Sequence, residues 1–280
     1  MQLGVVLTGT GAYGAAGIGV LEALSARQTE PFAVCGLGTG AWVAGLHAAG
    51  WEPGRMREAA AQAAGMGKRL LRADASVRAL LQGRKPSLSG GAAIARLLAM
   101  QTGGRILALC PERAVFPMRS ARGGLLFATQ AFSVPGGAIM TMQASVSFAV
   151  RAAMALPPFL TPVEWLGRPL LPECDAAVGA RALLAMGAQR VLVVRMQPSP
   201  RHSPDALELT ALAMEPERMA FPPSTAELSV MMPDGVGALN PSGMQACIEA
   251  GKKAAERELD RLFEEMGMAF CRILPFRRDG

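Results

Sequence analysis

The sequence predicts an α/β fold whose central sheet is mostly parallel. Residues 3–21 run from a short apolar stretch through a glycine-rich loop into an amphipathic pattern, which is typical of a strand, a loop and a helix. Residues 32–46 repeat this arrangement around the turn 36–40. Glycines let each loop turn tightly and leave backbone N–H groups at the helix start. Two such units in succession predict a pocket at the carboxyl ends of parallel strands.

The rest of the chain continues with further helices and strands. Apolar periodicity predicts helices at 14–27, 41–49, 56–64, 92–100, 145–156, 176–186 and 242–266. Strands are expected at 114–118, 125–129, 190–194 and 227–232, the first two joined as a hairpin. Asn240 is the predicted N-cap of the last helix, on which Glu249–Lys253 and Arg261–Glu265 are spaced as ion pairs.

Composition favours a globular protein with a large core. Of 280 residues, 51% are hydrophobic and 18% are charged. Chains of this size and class are often undivided, so we expect a single domain over 1–280 with a proline-containing insertion on its rim at 197–223. A net charge of +6 weakly favours anionic partners. Aromatic residues make up only 5%, so base stacking on nucleic acid is not expected.

Cysteine and histidine usage predicts neither a metal site nor any cofactor. The five cysteines are scattered, without a C-x-x-C pair, which indicates free thiols in a reducing compartment. Of the two histidines, His47 is expected to be structural and His202 to lie solvated in a loop. The amino terminus lacks the basic and apolar regions of a signal peptide, and no apolar run is long enough to span a bilayer. We therefore expect a cytoplasmic location.

The segment 67–85 combines basic residues with leucines. Such a segment can lie on an anionic membrane as a peripheral contact, or it can form a solvated helix face with its leucines packed inward. The second arrangement is the more common one for patterns of this kind. The basic residues are Lys68, Arg69, Arg72, Arg78, Arg84 and Lys85.

Three stretches together resemble the patatin-like phospholipase family. They are the loop 9–14, the turn 36–40 and the helix 150–157, which is followed by a Pro-Val step at 162–163. The resemblance implies a three-layer α/β/α sandwich and a lipid acyl hydrolase with a Ser–Asp dyad. The implied oxyanion loop comprises Gly9, Thr10, Gly11 and Gly14. The implied nucleophile elbow, of the form G-x-S-x-G, comprises Gly36, Gly38, Thr39 and Gly40.

The sequence departs from this family at three functional positions. The nucleophile position holds Gly38, which has no side chain. The dyad base position falls on Pro172, or on Glu173 if the alignment slips by one residue. In the oxyanion loop, Tyr13 stands where the family usually has arginine or lysine. These departures predict a protein without an intact catalytic residue, which keeps the frame and binds a lipid, an acyl ligand or a protein partner.

Two alternatives remain open from the sequence. An active acyl-ester hydrolase would need a non-standard nucleophile, and the adjacent Thr39 is more typical of a helix cap. A nucleotide-binding module would use the G-x-G-x-x-G pattern of 9–14, but the second strand ends at 35–37 without the acidic residue that such a site requires. Neither the oligomeric state nor the direction of the Glu173 side chain follows from the sequence.

Overall fold

The computed structural model describes residues 2–70, 83, 87–121, 123–130, 134, 137–140, 143–214 and 219–268. Their strands are β1 (Leu3–Leu7), β2 (Ala33–Gly36), β3 (Ala114–Ser120), β4 (Leu125–Thr129), β5 (Gly137–Met140), β6 (Val163–Trp165), β7 (Arg168–Pro172), β8 (Arg190–Gln197) and β9 (Thr225–Met231). Their helices are α1 (Ala16–Ala26), α2 (Gly40–Ala48), α3 (Pro53–Met66), α4 (Ala92–Thr102), α5 (Val146–Ala153), α6 (Ala176–Ala185), α7 (Ala206–Ala213) and α8 (Met244–Glu265). Short 3₁₀ turns occur at 11–15, 67–69, 107–109 and 241–243.

The strands form one mixed sheet with a parallel centre. The spatial order of the strands is β5-β4-β3-β2-β1-β8-β9, and in this order every neighbouring pair from β3 to β9 is parallel. The predicted hairpin is confirmed, since β4 runs antiparallel to β3, and β5 then pairs parallel to β4. The β6–β7 hairpin adds to β3 through antiparallel pairing of β7. The mostly parallel sheet that the sequence predicts is therefore present.

Helices cover both faces of the sheet, which gives three layers. Alternate residues of β1 point to opposite faces, so that Val5 belongs to one buried cluster and Val6 to the other. The larger cluster includes residues of α1, α2 and α8, and the smaller one is closed by α6. The chain thus has the predicted three-layer α/β/α architecture. Within the described residues, no helix combines the length and the apolar character needed to cross a bilayer.

Several local expectations need correction. The rim segment 197–223 is not only loop, because it contains α7, whose Asp205 and Glu208 form a capping box. Asn240 precedes a 3₁₀ turn rather than α8 itself, and its side chain makes no capping hydrogen bond. Glu249 contacts Arg57 at 2.5 Å on the neighbouring α3, so the predicted pairing along α8 with Lys253 is wrong. The pair between Arg261 and Glu265 is confirmed.

Most of the basic segment 67–85 lies outside the described residues. Lys68 and Arg69 lie in the 3₁₀ turn 67–69 that follows α3. The chain leaves this turn at Leu70, which is buried on the wall of a cavity described below. Arg72, Arg78, Arg84 and Lys85 fall outside the described residues.

The helices α1 and α8 pack at backbone distance. A Cβ atom added at Gly19 would lie 2.0 Å from the carbonyl oxygen of Ile248, and one added at Gly251 would lie 2.0 Å from that of Ala16. Both separations are far below van der Waals contact, so either side chain would force the helices apart. This contact fixes α1, and with it the glycine loop that precedes α1.

We expect Gly251→Ala to lower the free energy of unfolding by about 1–3 kcal/mol or more, because an extra methyl group overpacks a rigid contact. The matched control is Gly65→Ala in α3, where an added Cβ meets nothing within 4 Å. There the substitution should leave stability unchanged or raise it by up to ~1 kcal/mol through helix propensity. Urea unfolding followed by circular dichroism measures both; equal effects at the two positions would contradict the close packing.

Candidate functional site

A largely apolar cavity of about 610 Å³ opens where the parallel strands end. The glycine loop after β1, the turn after β2 and the end of β8 form its floor, while α7 and the beginning of α8 flank it. Its volume falls within the roughly 300–1,000 Å³ of small-molecule sites. The cavity therefore lies at the position that the strand–loop–helix units predict.

The turn after β2 has the geometry of a strand-to-helix elbow. Gly38 lies at its tip with φ +54°, a left-handed conformation that favours glycine. The next residue but one, Gly40, begins α2 so close to β1 that an added Cβ would lie 2.2 Å from the carbonyl oxygen of Leu7. The frame residues Gly36, Gly38, Thr39 and Gly40 are therefore held together against the end of β1.

The glycine loop occupies the space in front of Gly38. The carbonyl oxygen of Gly9 accepts a hydrogen bond of 2.9 Å from the backbone N–H of Thr39. A Cβ atom added at Gly38 would lie 2.3 Å from this same oxygen. A side chain at the nucleophile position and the observed position of Gly9 are consequently incompatible. The backbone N–H that follows a nucleophile, which an oxyanion hole uses, is already bound to the chain itself.

The other residues of the glycine loop are fixed by distant contacts. Gly9, Thr10 and Gly11 lie on the cavity wall, whereas Gly14 packs behind it against Thr39. The N–H of the loop residue Ala12 donates to the carbonyl of Ala238 at 2.8 Å, and an added Cβ at Gly11 would lie 2.0 Å from that carbonyl oxygen. The loop is thus clamped between the elbow and the segment that precedes α8.

Thr39 is not a capping residue of the expected kind. It directly precedes α2, but its backbone is helical and its side chain makes no capping hydrogen bond. Its Oγ1 is buried, and no hydrogen-bond partner for it exists among the described residues. Activation of a hydroxyl nucleophile requires a base within hydrogen-bond distance, which this oxygen lacks.

Pro172 and Glu173 both lie on the cavity wall, but neither is placed as a base. Pro172 ends β7, and the Glu173 side chain is only 1% exposed. Glu173 Oε1 accepts the backbone N–H groups of Cys174 and Asp175, each at 2.9 Å. Its Oε2 lies 2.7 Å from Arg119 Nε. Oε1 therefore binds the backbone just before α6, and Oε2 forms the ion pair with Arg119 of β3.

Sequence reasoning missed a buried cluster beside the cavity, here called the Tyr–Glu–His network (Tyr13, Glu208 and His202). The Tyr13 hydroxyl donates its proton to Glu208 Oε1 at 2.6 Å, and its oxygen also lies 2.8 Å from the carbonyl oxygen of Val236. His202 Nε2 lies 2.9 Å from Glu208 Oε2, so the expectation of a solvated histidine is wrong. The capping-box spacing of Asp205 and Glu208 was the signal in the sequence that could have located α7.

The Tyr–Glu–His network shifts the titration of its members. Burial raises the pKa of Tyr13 well above its usual range, and the hydrogen bond to Glu208 together with the negative charge of that carboxylate adds to the effect. For Glu208, burial acts to raise the pKa, but the hydrogen bonds from Tyr13, the Asp205 amide and His202 outweigh it. The pKa of Glu208 therefore lies below its ordinary value, and the carboxylate stays charged at neutral pH.

Tyr13 is the single tyrosine of the sequence, so tyrosinate absorbance reports this residue alone. We expect no tyrosinate in the folded protein at a pH one unit above the ordinary value of about 10, whereas the chain unfolded in urea should titrate near that value. Because the folded pKa is raised, the stability that protonated Tyr13 provides is complete below pH ~10 and is lost as the pH rises further. Tyrosinate formation near pH 10, with circular dichroism still native, would contradict the network.

Comparison with known proteins gives a likeness of fold. No family model matches the sequence, and no curated protein matches it either. A crystal structure of VipD from Legionella pneumophila matches with a TM-score of 0.51 and 12% identity, over 93% of this chain and 67% of VipD. The fold is patatin-like.

The type III effector protein ExoU also aligns with this chain. The crystal structure of ExoU has a TM-score of 0.44 and 13% identity, over 95% of this chain. ExoU from Pseudomonas aeruginosa in complex with SpcU gives a TM-score of 0.42 and 14% identity, over 93% of this chain. The chain spans about half of ExoU, 53% in both cases. Identities of this size concern the fold alone.

Proposed function

We propose that this chain is a catalytically inactive patatin-like protein that binds a lipid or acyl ligand in its cavity. The observation that carries the proposal is the position of the Gly9 carbonyl, which takes the space of a nucleophile side chain at Gly38 and the hydrogen bond of Thr39 N–H. Acyl transfer needs a nucleophile, an adjacent base and free donors for the oxyanion. The first two are missing at the corresponding positions of this cavity, and the Thr39 N–H is no longer a free donor.

The cavity itself supports the binding part of the proposal. Its wall is mainly aliphatic and aromatic, as is usual for sites that take apolar molecules. A protein that had lost all use for the site would be under no constraint to keep a volume of about 610 Å³ free of its own side chains. A bound protein partner at the cavity mouth is the second form of the same proposal.

The basic residues of 67–85 support a peripheral membrane contact as a further part of this proposal. A membrane surface would offer both the negative charge that these residues attract and the apolar ligand that the cavity fits. Lys68 and Arg69 directly precede Leu70, which lies on the cavity wall, so these two basic residues are close to the cavity along the chain. The proposed setting is the cytoplasmic side of a membrane.

Inactivity predicts no covalent adduct when the wild-type protein is treated with a fluorophosphonate and examined by intact-mass spectrometry. A serine hydrolase of known activity in the same tube controls for the reagent. Gly38→Ser combined with Pro172→Asp should also remain unmodified, because the serine Cβ would lie 2.3 Å from the Gly9 oxygen. An adduct on the wild type would overturn inactivity and identify an unrecognised nucleophile. An adduct on the double variant alone would show that the glycine loop can move away from the side chain at position 38.

Ligand binding predicts that the uncharged dye Nile red binds with increased fluorescence and that filling the cavity prevents it. Met244→Trp places a larger side chain on the wall at the start of α8 and should weaken binding by roughly 5–150-fold, which corresponds to an overpacking cost of about 1–3 kcal/mol. Met100→Trp, at an exposed position of α4 that is not part of the wall, is the matched control. Equal binding by both variants would place the dye elsewhere.

A further inference from the structure

The charged side chains of the cavity wall are already paired within the protein. Among the described residues of the wall they are Glu173, Arg195 and Glu208. Glu173 pairs with Arg119, as described above, and Glu208 belongs to the Tyr–Glu–His network. Arg195 Nε lies 3.2 Å from Glu227 Oε1 on the neighbouring β9. No described cation of the wall is therefore left for an anionic ligand.

Two uncharged polar side chains of the wall are engaged in the same way, whereas the buried Thr39 Oγ1 has no hydrogen-bond partner among the described residues. Trp42 Nε1 donates to Gln101 Oε1 at 2.8 Å, and Thr8 Oγ1 donates to the carbonyl of Val194 at 2.8 Å. The remaining surface comes mainly from aliphatic and aromatic side chains of α4, of α7 and of the segment 153–160 at and after the end of α5. To a ligand, the interior of the cavity is therefore an apolar surface with two carboxylates behind it.

This arrangement discriminates by charge. A carboxylate or phosphate inside the cavity would lose its hydration without gaining a cation from the described wall residues, and it would face the negative charge of the two wall carboxylates. A cationic head group would find Glu173 already paired with Arg119 and bonded to two backbone amides through Oε1, and Glu208 already bonded to Tyr13 and His202. An uncharged hydroxyl or ester head avoids both penalties, because the partial loss of its hydrogen bonds costs far less than the desolvation of an ion.

We propose that the ligand of this cavity is a long-chain amphiphile with an uncharged head group, such as a fatty alcohol or a monoacylglycerol, and that long-chain carboxylates are rejected. This inference rests on the proposed function, because it names the ligand class of the same cavity. It differs from that proposal in one measurable respect: binding of apolar molecules in general supports the first, whereas discrimination between head groups of equal chain length supports only the second.

The test is displacement of Nile red from the full-length protein by three twelve-carbon ligands. These are dodecan-1-ol, dodecanoate and dodecylammonium, compared at pH 8, where the acid is ionised and the amine protonated. We expect the alcohol to displace the dye at a concentration at least about tenfold below that of either ion. At pH 8 the three ligands differ only in the charge and polarity of the head group, so chain burial cancels from the comparison.

A charge variant at the cavity mouth makes the test specific. Leu212 lies on the wall near the end of α7 and is 65% exposed, so lysine there can keep its ammonium group in water. Relative to Leu212→Gln, Leu212→Lys should strengthen dodecanoate binding by about two- to fivefold, the range of an exposed ion pair, and should change alcohol binding little. Leu212→Gln controls for the lost leucine. Leu109→Lys, exposed and outside the wall, controls for net charge.

The outcomes separate the two proposals. Tight binding of the alcohol with weak binding of both ions supports the uncharged ligand. Equal displacement by alcohol and dodecanoate, or preference for dodecylammonium, would overturn it while leaving a lipid-binding cavity in place. If Nile red itself fails to bind, or if Met244→Trp leaves its binding intact, the proposed function fails, and the ligand class fails with it.

Discussion

The hydrogen bond between the Thr39 N–H and the Gly9 carbonyl is the contact on which the site depends. It joins the loop after β1 to the turn after β2. Once this bond has formed, Gly38 must be glycine, because any side chain would collide with the same carbonyl. The floor of the cavity is thereby closed by backbone atoms.

The other two departures from the family pattern have structural roles of their own. Tyr13 brings the beginning of the chain against Glu208 of α7 and thus builds one wall of the cavity. Glu173 secures the first amides of α6 and holds Arg119 of β3. Each residue stabilises the fold in a way that an arginine in the loop, or an aspartate that serves as a base, would not. The structural roles of these positions are what the proposal of binding without cleavage is built on.

Sequence reasoning predicted what depends on neighbours along the chain and missed what depends on distant partners. The strand–loop–helix units, the hairpin of β3 and β4 and the pocket at the strand ends follow from local patterns of glycine and apolar residues. The hydrogen bond from Tyr13 to Glu208 joins residues 195 positions apart, and the sequence around either residue does not predict it. Gly9 has no side chain from which its role could be predicted, and the position of its carbonyl group in front of Gly38 is seen only in the three-dimensional structure.

The exposed leucines of α7 affect how the affinity of the cavity depends on the chain length of a ligand. Its three leucines all border the cavity, and Leu209 and Leu212 remain 53% and 65% exposed. Full burial of a leucine side chain stabilises by roughly 1.5–3 kcal/mol, so the exposure of these two side chains costs free energy while the entrance is empty. A ligand whose apolar chain is long enough to reach the entrance would cover both leucines and remove this cost. Affinity should therefore keep rising with chain length after the interior is full, and level off only when the entrance itself is dry.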